Sequence, residues 1–239
     1  MDMKVLKISL LVVIILLVIV IAAGGYLGFV PGIRTLFGSD KPRDLGVVAS
    51  AQSFASGEAK IGLTRQDANA ASAATVTYQG AHQVNVSLTS EELTSLMQNG
   101  SWKHTWQYNP IADGFQVKFH PDGTVEASGV IDRTKLMGYL VATGFEDVLG
   151  YVNSLGFLPD TIPFYASGSG SIINNHVTVS ISKAELGRIS LPTDASAMQV
   201  VQNVVERRIA GISGLDVASL NFNGGTLNFK GTYPSVIKF

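Results

Sequence analysis

Residues 115–131 read FQVKFHPDGTVEASGVI, and this stretch decides what kind of sheet the chain builds. Phe115, Val117 and Phe119 alternate with polar residues at the two-residue period of a half-buried strand. Pro121-Asp122-Gly123 then reverses the chain, because proline presets φ and glycine reaches conformations closed to other residues. Thr124–Ile131 resumes as a second strand. The segment therefore predicts an antiparallel hairpin with Asp122-Gly123 at its tip.

Outward from that hairpin the same logic recurs. Ile162–Ile173 and His176–Ile181 face each other across Asn174-Asn175, a pair that tolerates the left-handed conformations of tight turns. Val217–Phe222 and Thr226–Gly231 do so across Asn223-Gly224-Gly225. Ala74–Tyr78 and Gln83–Leu88 read as strands, the second by alternation of Val84, Val86 and Leu88. Trp102, Trp106 and Tyr108 extend the β pattern ahead of Phe115, and Gly187–Leu191 is a short strand stopped by Pro192.

Helices are interleaved with these strands. Ser50 caps a modest helix over Ser50–Ala59 anchored by Phe54. Thr89-Ser-Glu-Glu92 is a capping box, and it opens a short helix with Leu93, Leu96 and Met97 on one face that stops at Asn99-Gly100. Asp132 or Thr134 starts a long helix over 133–155, bearing Leu136, Leu140, Val141, Phe145, Val148, Leu149, Val152 and Leu155. Only Glu146 and Asp147 mark a wet face on it, so it is buried on several sides or faces lipid. Ala195–Ile212 is amphipathic, with Met198, Val201, Val204, Val205 and Ile209 inward and Arg207 and Arg208 outward. The expected fold class is α+β: a curved, mostly antiparallel sheet packed on two longer helices.

Ahead of this domain stands an uncharged apolar run, Ile8–Val30 (ISLLVVIILLVIVIAAGGYLGFV). As a helix rising about 1.5 Å per residue it reaches about 34 Å, enough to cross a hydrocarbon core of about 30 Å. The competing reading is a cleaved signal peptide, with Lys4 and Lys7 as its basic region and Ala22–Gly25 as a cleavage site. Apolar character resumes across that site through Tyr26, Leu27, Phe29 and Val30, which favours an uncleaved N-terminal transmembrane helix. The absence of cysteine excludes a lipoprotein anchor. Basic residues flank both ends, so orientation rests on the short leading flank, as in a signal anchor that exports its C-terminal part. The expected organisation is a transmembrane signal anchor over 1–30, a linker over 31–44 ended by Gly38-Ser-Asp-Lys-Pro-Arg-Asp44, and an extracytoplasmic domain over 45–239. Pro31 and Gly32 are expected to end the helix.

The order LTSEELTSL, VKFHPDGTVEASG, a long apolar helix, AELGRISLP, a second helix and LNFNGGTLNFKGTYP resembles membrane-anchored bacterial proteins of the YpmS type. Asp44-Leu45-Gly46-Val47 is similar to linkers in such proteins. The layout is also similar to that of extracytoplasmic lipid-binding modules in which a curved sheet wraps helices around an apolar groove. The resemblance covers most of Leu88–Pro234 and rests on caps and turns. It implies an exported, non-enzymatic domain that handles an acyl chain or another membrane component, and it brings no catalytic residues.

Charge and chemistry narrow the classes further. Without Asp2, Lys4 and Lys7 the chain keeps 15 basic against 17 acidic groups and no run of like charge, so nucleic acid is not an expected partner. His82, His104, His120 and His176 are scattered, with no ligand spacing for a metal. Gly168-Ser169-Gly170 lacks the strand-to-helix context of a nucleophile elbow. No enzyme, metal or cofactor is expected. The favoured function is a membrane-tethered module that binds a lipid or acyl chain in an apolar groove. Leu136, Leu140, Val148, Val152 and Phe157 would form its wall, and Arg133 and Lys135 would meet an anionic headgroup. The alternative is a cell-envelope scaffold with a filled core that meets a protein partner through its sheet edge or its aromatic segment.

Overall fold

The Pro-Asp-Gly turn closes as its sequence predicts. Gly123 takes a φ of 87°, and Thr124 N donates to Asp122 Oδ1 at 2.9 Å. The computed structural model describes residues 3–28, 30, 32–66, 77–99, 111–142, 150 and 159–238. Among these the helices are α1 (Met3–Tyr26), α2 (Ile33–Leu36), α3 (Ala51–Ile61), α4 (Ser90–Asn99), α5 (Arg133–Ala142) and α6 (Ala195–Ala210). The strands are β1 (Thr64–Gln66), β2 (Thr77–Gln79), β3 (His82–Leu88), β4 (Ile111–Phe119), β5 (Val125–Asp132), β6 (Thr161–Ile173), β7 (His176–Leu186), β8 (Ile189–Ser190), β9 (Asp216–Asn223), β10 (Thr226–Tyr233) and β11 (Val236–Lys238).

The class is α+β with a mostly antiparallel sheet. Its organiser is β6. Residues 164–168 of β6 pair with β5 and β7 at once, and residues 171–173 pair with β7 and β9 at once. A strand has only two edges, so β5 and β9 share one edge of β6 end to end while β7 takes the other. The sheet is thus not a simple meander of strands in chain order. The turns do follow the sequence: Asn174 and Asn175 adopt φ of 50° and 66°, and Gly224 and Gly225 adopt 62° and 77°. Of a small sheet in the order β1-β11-β2, with β1 parallel to β11, the sequence reading has β2 alone, as the end of Ala74–Tyr78, because three-residue strands carry no periodic signal.

The capping box forms in both directions. Glu92 N donates to Thr89 Oγ1 at 3.2 Å, and Thr89 N donates to Glu92 Oε2 at 2.9 Å. The inward face of α4 corrects the sequence reading. Thr94 and Ser95 are fully buried, whereas Leu93 and Met97 are half-buried and only Leu96 of the expected trio is buried. The reason is the neighbouring edge of β4. Phe119 N donates to Ser90 Oγ at 2.9 Å, Val117 N to Thr94 Oγ1 at 3.0 Å, and Gln98 Nε2 to the Phe115 carbonyl. Thr94 Oγ1 also donates to the Val117 carbonyl at 3.3 Å. Four helical residues rise about 6.0 Å and two strand residues about 6.7 Å, so polar side chains at i, i+4 and i+8 keep step with alternate residues of an antiparallel strand. The helix seals an edge whose backbone groups would otherwise lack partners.

Elsewhere the packing is apolar. Val84, Ile209, Val217 and Phe229 form one buried cluster, with Val205 and Val86 against it. Of the expected inward face of α6, Ile209 is buried and Val205 packs on the cluster, while Met198, Val201 and Val204 are half-buried; Arg208 is not simply outward, since it donates to Tyr78 Oη at 2.8 Å. In α3, whose cap at Ser50 accepts from Ser53 N, the buried residue is Gly57, and Phe54 is half-buried. A Cβ at Gly57 would come within 2.8 Å of Leu96, so the glycine lets the two helices approach.

Three sequence expectations meet their limits here. Helix α1 ends at Tyr26, short of Val30 and of the Pro31-Gly32 stop. Helix 133–155 is described only through Ala142, with Asp132 as its cap (Lys135 N to Asp132 Oδ1, 3.0 Å), so Val148, Val152, Leu155 and Phe157 lie outside the described residues. Trp102, Trp106, Tyr108 and the start of Ala74–Tyr78 lie outside them too.

Candidate functional site

The site is built where α1 leaves the body. Gly187 and Arg188 form the turn between β7 and β8, with Gly187 at a φ of 61°. A Cβ at Gly187 would stand 2.6 Å from the Leu27 carbonyl, so only glycine admits that backbone so close. Arg188 N donates to the same carbonyl at 3.4 Å. The Arg188 guanidinium lies 4.4 Å from the Tyr26 ring centroid and donates to the Phe37 carbonyl at 2.7 Å. Buried Ser39 donates to the Tyr26 carbonyl at 2.6 Å, and Arg34 donates to the Thr161 carbonyl at 2.8 Å.

Within the stretch expected to be a linker, Arg34 reaches the Thr161 carbonyl and Arg43 reaches Glu185, so this strap runs beside the sheet. Leu45 N donates to Gln116 Oε1 at 2.7 Å, and Lys118 donates to the Leu45 carbonyl at 3.1 Å. Leu45 and Val47 are buried with Tyr165 in a second core cluster. Between this strap and the β6–β7–β8 corner opens a cavity of about 270 Å³, lined by residues that include Lys41, Arg43, Tyr165, Glu185 and Arg188.

Tyr165 is the fixed floor of the site. Its hydroxyl donates to Glu126 Oε1 at 2.6 Å, and Glu126 Oε2 lies 3.1 Å from His120 Nε2. The Tyr165 hydrogen bond, with help from His120 and against partial burial, holds the Glu126 carboxyl below the usual carboxylate range. Burial, and then that same bond, push the Tyr165 hydroxyl above its ordinary value. The phenol therefore stays protonated and spends its proton on Glu126. Arg43 stacks on the ring with its guanidinium 3.7 Å from the centroid.

The charges here do not cancel. Glu185 is paired twice, with Arg43 Nη2 at 2.8 Å and Lys183 Nζ at 2.8 Å. Lys41 is exposed, with no hydrogen bond or ion pair to its ammonium among the described residues. Among the described residues the Arg188 guanidinium meets a carbonyl and a ring. The arrangement suits an anion.

The sequence-predicted residues that the structure describes lie elsewhere. Leu140 is buried at 6 % exposure and Leu136 is half-buried, but neither lines this cavity or a second one of about 190 Å³. That second cavity is a shallow apolar depression over Ala127, Ala166, Gly168 and Gly170. Arg133 pairs with Asp160 at 3.5 Å, and Lys135 is exposed. No family model matches this chain, and no curated protein or solved structure matches it significantly. The likeness to YpmS-type proteins thus remains an expectation from the sequence.

His82 bridges the Ile61 carbonyl (2.8 Å) and Ser235 Oγ (3.3 Å), and among the described residues no acidic, histidine or cysteine cluster could hold a metal ion. Sequence reasoning misses Lys41, Arg43, Tyr165 and Arg188. Its one usable signal is Gly187-Arg188 before a short strand, which on sequence grounds is punctuation alone.

Proposed function

We propose that this chain is a single-pass, membrane-anchored, non-enzymatic module whose extracytoplasmic body lies against the membrane surface and engages lipid there. The observation that carries the reading is α1. It runs for 24 residues, about 36 Å at about 1.5 Å per residue, and Val12 through Val20 each leave 49–68 % of their surface exposed. An apolar stretch exposed on every side, as Val12–Val20 is, is matched to hydrocarbon rather than water. Among the described residues no helix is long and apolar enough to cross a membrane. Side chains of α1 are described from Val12 to Tyr26, a length of about 22 Å at about 1.5 Å per residue.

The clamp at Tyr26, Leu27 and Ser39 supports the second half of the reading. It ties the end of the helix to the body, so a body hung from a spanning α1 stays at the headgroup level. Tyr26, half exposed at the end of the helix, suits that interface. The test is extraction of membranes with alkaline carbonate. The parent chain is expected to stay with the bilayer, and the double variant Ile15→Lys/Val18→Lys to appear in the soluble fraction, since each lysine at mid-span costs about 2.5–3.5 kcal/mol. Release of the parent by alkali would refute the anchor. Protection of the body from protease added outside intact cells would refute the orientation.

A further inference from the structure

We infer that the cavity at the exit of α1 takes the phosphate of an anionic membrane lipid, with Lys41 and Arg188 as its charge partners. The inference rests on the reading of α1 as a membrane span, and it gives that reading a ligand class. Three independent observations converge on it. The first is the cavity itself, about 270 Å³ and closed on one side by the strap that extends from α1. The second is its charge. Glu185 is already neutralised by Arg43 and Lys183, so Lys41 and Arg188 remain without a counter-ion among the described residues. Asp40, the nearest carboxylate in sequence, faces Thr35 through Oδ2, while its Oδ1 is buried without a hydrogen-bond partner; it does not line the cavity.

The third is position. Arg188 is stacked on Tyr26, the last residue of α1, and Ser39 is tied to the Tyr26 carbonyl. The cavity is therefore fixed at the depth where the helix would leave hydrocarbon, the depth of lipid phosphates. A guanidinium braced by a ring and a carbonyl loses little freedom on meeting a phosphate oxygen, and a free ammonium adds a mobile point charge. A phosphate diester spreads its one negative charge over two oxygens, one for each cationic group.

The test uses the full chain in neutral detergent micelles carrying phosphatidylglycerol or phosphatidylcholine, with retained lipid counted by native mass spectrometry. Parallel titrations with glycerol phosphate and with inorganic phosphate separate a lipid headgroup from a soluble phosphate. The parent is expected to retain phosphatidylglycerol in preference to phosphatidylcholine. Lys41→Gln should weaken that retention about fivefold, the worth of one basic residue at an anionic surface. Its melting temperature without lipid should not move, because the ammonium has no protein partner to lose. Arg188→Gln should weaken retention at least as much, and Arg188→Lys should restore part of it.

Equal retention of the two lipids, or a Lys41→Gln chain that holds phosphatidylglycerol as the parent does, would overturn the inference. So would glycerol phosphate binding with the same Lys41 dependence but no preference among lipids, which would assign the cavity to a soluble phosphate. The membrane reading is judged separately by alkaline extraction. A chain that stays integral yet shows no anionic preference loses only the headgroup site, and a chain that alkali releases loses both.

Discussion

Helices α4 and α6 are both amphipathic and capped, yet they attach to the same sheet by opposite means. Helix α6 lays Val205 and Ile209 onto an apolar cluster with Val84, Val217 and Phe229. Helix α4 turns Ser90, Thr94 and Gln98 to the bare edge of β4 and hydrogen-bonds it residue by residue. One helix covers a face and the other closes an edge. Hydrophobic periodicity detects the first arrangement because burial there follows apolarity. It misreads the second because the buried groups are polar and their need is set by a strand distant in the chain.

The contrast breaks most visibly at Ile209. Ile209→Ala removes a buried side chain from the apolar cluster and is expected to cost about 2–5 kcal/mol, read as a lower denaturant midpoint. If it were nearly neutral, α6 would not be held by its apolar face.

Next in size is Thr94→Val, which keeps shape but leaves a buried N–H and carbonyl of Val117 without their side-chain partner. The expected loss is about 1–3 kcal/mol, with faster hydrogen exchange at the Val117 amide. Thr94→Ser, which retains the oxygen, should lose clearly less. A Thr94→Val chain as stable as the parent would make the edge seal incidental.

The smallest effect sharpens the comparison through pH. Burial opposes charge at Glu92, but hydrogen bonds from Lys60 (2.7 Å), Ser56 (2.5 Å) and Thr89 N outweigh it and hold the carboxyl below the ordinary 4.5. Its contribution is whole above that unfolded value and is lost as pH falls through the lowered folded one. Glu92→Gln should therefore cost about 1 kcal/mol at neutral pH, and the gap in Tm should close in acid. A gap independent of pH would show that Glu92 acts by shape and not by charge.

Much of this fold is legible because it depends on neighbours in sequence. The Pro121-Asp122-Gly123 turn, the Asn174-Asn175 and Gly224-Gly225 reversals, the Ser50 cap and the Thr89–Glu92 box all follow from backbone preferences and hydrogen bonds within a few residues. The alternation in β3, which buries Val84 and Leu88 and exposes Gln83 and Asn85, follows from the pleat alone.

The rest is decided by residues that meet only in space. Nothing near β6 in sequence says that β5 and β9 will share its edge, and nothing near β4 says that a polar helix will seal it. The candidate site is the extreme case. Lys41, Tyr165 and Arg188 come from a strap, a strand and a turn, each unremarkable in its own stretch of chain, and they gather where α1 joins the body. By itself the sequence determined the elements and the apolar run of α1, because periodicity and turn chemistry are local. Only the tertiary structure decided which polar groups are buried and where positive charge is left unmatched, because desolvation and Coulomb attraction act through space.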